Sequence, residues 1–505
     1  MPKRILYLFI LAALTGCYKD KGNYTYTELP AFYVDTNTVQ GEFIVPQYDT
    51  LRLNPGLVYE GNRAALKFSW TTYLYGSSIN TIADTLARTE ILAAPIALFP
   101  ERYWLEFTAT DTLTGRRMAY RYLMTVEGIG SGMMVLYEKD NRVDFDLIKT
   151  RLLEGLLEKD EVVRNLYTIS NPGHPLTGKA VAINMFRFQT AQYISVFSEN
   201  DGVQISPADM GIIKNFNEQF AASPDLVRPQ GQFAPFGLTV NDFENSSGFD
   251  LLVNGGQAYA NMVLFAFGKP TAYSLLFASD GDYEAAPFIK YGLARIVVYD
   301  QKNRRFLGAS PLGTTLTPII SNGSAFNFQS VGKDMVYMDY GYGGTYMNYA
   351  VFKEPVDDGR RYLYVVDLGA SAARYAWDIS AYPGISSATK FAYGTRGQLM
   401  YYAAGNKLYQ IHFDLSAGQE LGATEAWPFI PPNEEITCLK MCPHPGRNLA
   451  ENAKDKYLFV GTWDATANKG KVYVLQANVT SGVLTAEPAA VFEGFGKVKD
   501  LAFKF

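Results

Sequence analysis

The chain has 505 residues, which is longer than one ordinary domain and predicts two or three domains. Hydrophobic residues make up 48% and charged residues 19%, as is typical of globular proteins, and the formal net charge of −5 argues against a nucleic-acid partner. Aromatic residues reach 14%, which favours β-strands over helices.

The N-terminal segment has the pattern of a bacterial secretion signal. Lys3 and Arg4 precede an apolar run over 5–14. That run is too short to cross a bilayer, because a spanning helix needs about 20 residues. A signal peptide over 1–16 is therefore predicted.

Leu14-Thr15-Gly16-Cys17 resembles a lipobox, the site at which bacteria attach lipid to a cysteine thiol. An ordinary cleavage site with a chance cysteine is the alternative. We predict lipidation of Cys17 by acyl chains such as palmitate, followed by a polar tether over 17–27. Several acyl chains on one residue hold a protein stably at a membrane.

Residues 28–127 show short strands with alternating apolar residues, which predict a β-sandwich of immunoglobulin type. Trp70 lies mid-strand, and the segment 102–128 reads as a hairpin with a polar turn over 111–115. The segment has no cysteine pair, so it is not an antibody-like domain.

From residue 130 to 505 one pattern recurs: an apolar strand, a turn with Asn, Asp or Gly, and a second apolar strand. Repeated hairpins of this kind predict a β-propeller, here with seven blades and an all-β fold. The hairpins are predicted at 134–148, 194–206, 250–259, 295–309, 335–367, 399–411 and 457–475.

Two stretches, 147–167 and 208–222, show helical recurrence of apolar residues and predict small helical insertions. The alternating stretch 498–505 is predicted to pair with the first blade near 133–140, since closure of the ring removes an open sheet edge.

The octapeptide that starts at Cys17, CYKDKGNY, is followed by the sandwich pattern and by a repeat region that opens with MMVLYEKD. This combination resembles the PKD-like family lipoproteins of Bacteroidetes. The resemblance implies an outer-membrane lipoprotein exposed at the cell surface. It also implies an importer of SusC/SusD type, a TonB-dependent pore with a lipoprotein lid, encoded beside it. No catalytic residues come with the family.

The segment 437–446 holds Cys438, Cys442 and His444, residue types that bind zinc. On a strand, however, the two sulfurs would stand about 13 Å apart at about 3.3 Å per residue. Core cysteines are therefore predicted and no metal site, with a disulfide across a bend before Pro443 as the alternative.

Asp280, Asp282 and Glu284 occupy alternate positions, as at the start of a calcium loop, but the later ligands of an EF-hand are missing. A solvated loop is expected, and a bound cation at Asp280 and Asp282 stays open.

Tyr340, Tyr342, Tyr346 and Tyr349 surround a glycine-rich loop and are the predicted contacts to a ligand or partner. Tyrosine gives rigid contact area with a hydrogen-bonding tip. The alternative is that these side chains cover the edge of a blade and pack on a neighbouring loop.

The sequence contains none of the Gly-x-Ser-x-Gly, His-Glu-x-x-His or phosphate-loop motifs. The expected function is therefore non-catalytic and needs no cofactor: binding of a glycan or peptide beside a SusC/SusD-type importer and neighbouring lipoproteins. One alternative is a propeller hydrolase or lyase with carboxylates or histidines converging on the axial face. A second is a structural adaptor that joins the importer to another lipoprotein.

The first testable prediction concerns lipidation. Cys17→Ser removes the thiol that accepts the lipid, so the protein should leave the membrane fraction and accumulate as unprocessed or soluble chain. Membrane fractionation with mass measurement of the N-terminal peptide checks this. Unchanged fractionation and unchanged N-terminal mass would show that Cys17 carries no lipid.

Overall fold

The computed structural model describes residues 29–76, 84–188, 191–233, 249–262, 272–293, 295–310 and 313–504. The predicted signal peptide and tether lie outside the described residues. Within these ranges the chain is almost entirely β-strand. The described residues divide into two compact units: one comprises those within 29–43, 52–94 and 102–124, and the other comprises those within 44–51, 95–101 and 125–504.

Nine strands form the N-terminal part. They are β1 (Phe32–Val34), β2 (Glu42–Pro46), β3 (Thr50–Leu53), β4 (Leu57–Tyr59), β5 (Leu66–Leu74), β6 (Asp84–Ala87), β7 (Leu92–Pro95), β8 (Arg102–Asp111) and β9 (Arg117–Glu127). The main sheet has the order β2-β9-β8-β5-β6, and β1-β4 and β3-β7 are two-stranded sheets.

Trp70, in the middle of β5, is the centre of this part of the core. Its ring is fully buried and lies 4.7 Å from the ring of Phe107 and 5.8 Å from that of Tyr122, between ring centres. The indole N–H donates a hydrogen bond to the Thr89 carbonyl oxygen at 3.0 Å. A buried tryptophan with its one donor satisfied gives the apolar stabilisation without an unpaired polar group.

The turn predicted over 111–115 connects β8 to β9. The Asp111 carboxylate accepts hydrogen bonds from the backbone N–H of Leu113 and from the hydroxyls of Thr114 and Tyr59. These hydrogen bonds stabilise the charged form and lower the pKa of Asp111 to about 2.

The remaining strands run from residue 132 to 504. They are β10 (Gly132–Lys139), β11 (Arg142–Lys149), β12 (Glu161–Val163), β13 (Ala180–Phe188), β14 (Ala191–Ser198), β15 (Gly202–Ile205), β16 (Ile212–Asn215), β17 (Pro229–Phe233), β18 (Phe249–Asn254), β19 (Gln257–Met262), β20 (Ser274–Leu275), β21 (Phe277–Ala278), β22 (Lys290–Gly292), β23 (Arg295–Asp300), β24 (Arg305–Ala309), β25 (Thr315–Pro318), β26 (Asp334–Tyr340), β27 (Met347–Lys353), β28 (Arg361–Asp367), β29 (Ala372–Asp378), β30 (Lys390–Tyr393), β31 (Leu399–Ala404), β32 (Lys407–Asp414), β33 (Gln419–Trp427), β34 (Glu435–Met441), β35 (Tyr457–Asp464), β36 (Lys469–Gln476), β37 (Ala490–Phe495) and β38 (Lys497–Lys504).

Consecutive strands form antiparallel sheets of four. The sheets are β13–β16, β17–β20, β22–β25 with β21 added at its edge, β26–β29, β30–β33 and β34–β37, and a further sheet has the order β12-β11-β10-β38. The first strands of neighbouring sheets lie side by side, as β38 does with β13 and β34, and β30 with β26 and β34. This is the arrangement of a β-propeller, as the repeated hairpins predict.

Apolar clusters fill the spaces between neighbouring sheets. Met133 and Val135 of β10 pack towards β35 and β36, whereas Met134 and Leu136 pack towards β14 and β15. Successive residues of one strand therefore face two different sheets, and both faces are buried. This accounts for the continuous apolar runs of these strands.

The sheet of β10–β12 is completed by β38. The two strands pair antiparallel from Gly132 opposite Lys504 to Glu138 opposite Lys497. The Lys504 ammonium also donates a hydrogen bond to the Gly130 carbonyl at 2.8 Å. The predicted pairing of the C-terminal strand with the first hairpin is confirmed for residues up to 504; Phe505 lies outside the described residues.

The helices predicted over 147–167 and 208–222 are wrong. The first stretch contains the end of β11, turns, β12 and the start of a five-residue helix, α1 (Leu166–Ser170). The second contains β16 and a short 3-10 helix, Asn217–Gln219. Adjacent apolar pairs such as Leu147 and Ile148 arise from burial on both faces of a strand, and they imitate helical recurrence.

Two further 3-10 helices, Arg63–Ala65 and Ile385–Ser387, occur in the described ranges. None of the helices in those ranges has the length and apolar character needed to span a membrane.

The second prediction concerns the closing strand. Deleting residues 498–505 exposes the edge of β10 and the apolar cluster beneath it, so the truncated chain should aggregate or melt well below the full chain. Leu501 is fully buried, and Leu501→Ala should cost about 2–5 kcal/mol in the free energy of unfolding. Lys499→Ala, an exposed neighbour on the same strand, is the matched control and should change stability little. A truncated chain that melts with the full chain would rule out a stabilising role for closure.

Candidate functional site

The starts of the innermost strands and the turns of the hairpins that follow them lie at one edge of the propeller. Lys497 opposes Glu138, and Glu435 opposes Trp463, so the start of each inner strand lies beside the end of the next strand. Ala180, at the start of β13, likewise pairs with Ser198 at the end of β14. The same edge therefore presents loops from three neighbouring sheets.

A groove of about 330 Å³ opens at this edge. It lies between the β10–β11 turn, the start of β13, the β14–β15 turn and the β35–β36 turn. We call it the Trp463 groove. It is lined by Glu138, Lys139, Asp140, Asn141, Gly178, Lys179, Glu199, Trp463, Asn468 and Lys497.

The walls of the Trp463 groove are held by specific contacts. The Glu138 carboxylate accepts a hydrogen bond from the backbone N–H of Ala180 at 2.9 Å, which ties β10 to the start of β13. The Lys497 ammonium lies 3.8 Å from the Glu435 carboxylate. Two charged side chains of the groove, those of Glu138 and Lys497, are therefore in contact with neighbouring residues.

Trp463 is the large apolar surface of the groove. Its side chain is partly exposed at the end of β35. Within the described part of the chain its indole N–H donates no hydrogen bond. A partly exposed aromatic ring with a free donor, surrounded by ammonium, carboxylate and amide groups, can stack on a ligand and hydrogen-bond to it. The sequence pattern did not single out this tryptophan, because the residues around it come from distant parts of the chain.

The four tyrosines of the predicted site do not share one environment in the structure. Tyr349, on β27, is fully buried, and its ring stacks on those of Tyr393 and Phe413 at 5.4 and 4.9 Å between ring centres. Its hydroxyl donates to the Tyr342 carbonyl oxygen at 2.8 Å. Tyr349 therefore belongs to the packed interior between two sheets.

Tyr340 connects two neighbouring inner strands. Its hydroxyl donates to the Tyr291 carbonyl oxygen at 2.7 Å and accepts from the Tyr291 backbone N–H at 3.3 Å. Burial raises the pKa of Tyr340 far above its usual value, so the hydroxyl stays protonated and available for this contact.

Tyr342 and Tyr346 remain partly exposed in the loop between β26 and β27. Tyr346 packs against the apolar clusters on either side of β22, with its ring 6.5 Å from that of Tyr291. Gly343 and Gly344 have φ angles of 113° and 136°, which other residues rarely adopt. Contact of Tyr342 and Tyr346 with a ligand stays a prediction.

The acidic loop around Asp280 and Asp282 is occupied by cationic side chains of the protein itself. Arg305 donates hydrogen bonds to both carboxylate oxygens of Asp280, and the Lys302 ammonium lies 2.7 Å from Asp282. These contacts lower the pKa values of both aspartates. They give each carboxylate a partner that a cation would have to displace.

Cys438 and Cys442 are buried free thiols, as predicted, and not a disulfide. Burial raises the pKa of each to about 12. The Cys442 thiol donates to the His444 carbonyl oxygen at 3.3 Å. Among the residues that the structure describes, no cluster of three or more His, Cys, Asp or Glu side chains is arranged to hold a metal ion.

A second group of charged residues, which no sequence pattern indicated, lies where the innermost strands meet. The Lys290 ammonium forms an ion pair of 2.8 Å with the Asp339 carboxylate. Burial raises the pKa of Asp339, but the ammonium groups of Lys290 and Lys440 outweigh this effect, so the pKa lies below its usual range. Asp500 in turn helps to raise the pKa of Lys440 against the effect of burial. These charges compensate one another.

The third prediction separates packing from contact in the tyrosine loop. Tyr349→Ala should lower the free energy of unfolding by about 3–5 kcal/mol, because it empties a filled interior site. Tyr342→Ala should change it by less than about 1 kcal/mol, since its side chain is partly exposed. Denaturant unfolding of both variants checks this. Equal losses would show that the loop is packed as a unit.

Comparison with solved structures gives β-propeller proteins at low similarity. Hsv2 of Kluyveromyces lactis has 10% identity and a TM-score of 0.39, over 71% of this chain and 98% of that chain. The Cps50 (Swd1) β-propeller domain of Myceliophteria thermophila has 8% identity and a TM-score of 0.38, over 66% and 96%. AztD of Citrobacter koseri has 11% identity and a TM-score of 0.35, over 87% and 98%. At these values the likeness says nothing about ligand or activity.

Comparison with curated protein sequences finds no match. The model of the PKD-like family matches residues 17–180, a range that extends from Cys17 through β1–β9 into β10–β12 and the first residue of β13. The resemblance of this N-terminal part of the chain to the PKD-like family is thereby confirmed.

Proposed function

We propose that the protein is a non-catalytic lipoprotein of the outer-membrane surface that binds a glycan or peptide for a SusC/SusD-type nutrient importer. In this proposal Cys17 carries the lipid anchor and the Trp463 groove holds the ligand. The sheets from β10 to β38 act as the seven blades of a closed propeller.

The observation that carries the proposal is the chemistry of the Trp463 groove. Its volume of about 330 Å³ lies within the usual range of small-ligand sites, roughly 300–1,000 Å³. An indole face stacks on the apolar face of a sugar ring or on a peptide side chain, while Lys179, Glu199 and Asn468 offer hydrogen bonds to polar groups. Both glycans and peptides present this mixture of apolar faces and polar groups.

The importer part of the proposal rests on the PKD-like match and on the resemblance of the N-terminal octapeptide. Its test is purification of the native protein from membranes in mild detergent, followed by identification of what comes with it. Co-purification of a TonB-dependent pore and its lipoprotein lid is expected. Recovery of the protein without either would overturn this part.

The fourth prediction concerns the groove. Trp463→Ala should weaken binding at least about tenfold, because truncation of a central aromatic contact costs about 1–2 kcal/mol or more. Calorimetric titration of the purified chain with maltoheptaose, cellohexaose, xylohexaose and a tryptic casein digest measures this. The melting temperature should stay within about 3 °C of the wild type.

The matched control is Phe277→Ala, which removes an aromatic ring that is 60% exposed and does not line the groove. It should bind as the wild type does. Binding that survives Trp463→Ala, or is lost equally in Phe277→Ala, would place the ligand elsewhere.

A further inference from the structure

Three lysines lie at the starts of two innermost strands that flank β34, and one of them, Lys497, lines the Trp463 groove. Lys390 is the first residue of β30, and Lys497 is the first residue of β38, with Lys499 two positions further along. Glu435, the first residue of β34, lies between these two strands in the order of the sheets. We call Lys390, Lys497 and Lys499 the lysine cluster.

The positive charge of the lysine cluster is not balanced. Glu435 is its only carboxylate within ion-pair distance among the described residues, and it lies 3.8 Å from Lys497. Neither Lys390 nor Lys499 has an ion-pair partner in the described part of the chain. Of the three ammonium groups, only that of Lys497 has a carboxylate within ion-pair distance among the described residues, in contrast to the compensated charges around Asp339.

The pKa of Lys390 is affected by the charges around it. Its side chain is partly buried. Burial is the largest cause that lowers the pKa of Lys390, and the ammonium groups of Lys499 and Lys497 lower it further. Cys438 and Glu435 act in the opposite direction but do not outweigh burial and Lys499, so the pKa of Lys390 lies below its usual value.

Lys497 belongs both to the cluster and to the lining of the Trp463 groove, so the two features are continuous. A ligand whose ring stacks on Trp463 can place an anionic substituent at the lysines. The lysine cluster adds positive charge to a groove that Lys139 and Lys179 also line, while the whole chain has a net charge of −5, and this local charge suits one or two acidic groups rather than a nucleic acid.

We propose that the lysine cluster binds the sulfate or carboxylate group of an acidic polysaccharide whose sugar rings lie in the Trp463 groove. This inference rests on the proposed glycan-binding function and specifies its ligand class. The anion supplies the charge that Lys390 and Lys499 lack, and its binding relieves their mutual repulsion.

The test uses the full chain and two matched pairs of probes in low salt. Dextran sulfate is compared with dextran, and polygalacturonate with its methyl ester, so each pair differs mainly in its anionic groups. The wild type should bind at least one anionic probe about tenfold or more tightly than its neutral counterpart. Preference for sulfate or for carboxylate identifies the source of the charge.

The decisive variant replaces Lys390, Lys497 and Lys499 by Gln together. It should bind the anionic probe no better than the neutral one, and it should melt no lower than the wild type, because the repulsion is removed. The control is Lys67→Gln, Arg88→Gln and Lys159→Gln combined, three exposed sites with the same change in charge. The control should keep at least about half of the wild-type affinity.

Equal weakening in the control would show an effect of net charge alone and overturn the proposal. Equal affinity of the wild type for charged and neutral probes would also overturn it. In that case, binding that depends on Trp463 leaves the proposed glycan-binding function intact. Binding of no polysaccharide in any form would overturn both.

Discussion

The pairing of β38 with β10 is the constraint on which the second unit depends. It joins residues that are more than 350 positions apart in the chain, and the entropy lost in closing so long a loop must be offset by what the closed ring buries. Both faces of β10 and β38 pack against neighbouring sheets, and this burial supplies the offset. Without it, the sheet of β10–β12 would present an unpaired edge.

The same pairing builds the candidate site. It brings Lys497 beside Glu138, and Glu138 in turn fixes the start of β13 through the Ala180 backbone. Gly496 is required at this point, because a side chain there would collide with the Glu138 carbonyl oxygen. The groove is thus a product of ring closure, and no single sheet contains it.

Much of the fold could be predicted from the sequence because its signals are local. Each hairpin carries its own alternation and turn residues, and Trp70, which the pattern places in the middle of a strand, is the buried centre of β5. The helices were mispredicted because burial on both faces gives a strand such as β11 the apolar pairs of a helix. The groove and the lysine cluster could not be predicted, because Trp463, Lys390 and Lys497 meet only through the packing of separate sheets. The tyrosine loop shows that a local signal can also mislead. The four tyrosines between 340 and 349 predicted a contact surface, but the Tyr349 side chain is buried in the interior.

The two cysteines near the end of β34 have a practical consequence. Cys438 and Cys442 lie in the apolar cluster that β38 helps to enclose, and their raised pKa values keep them as thiols at neutral pH. Thiolate is the reactive form, so alkylating reagents reach these positions only when the cluster opens. In the native chain, labelling of these two thiols therefore reports local opening near the contact between β34 and β38. The rate at which the two sulfurs become labelled therefore measures how often the structure opens locally around β34 and β38, without any engineered probe.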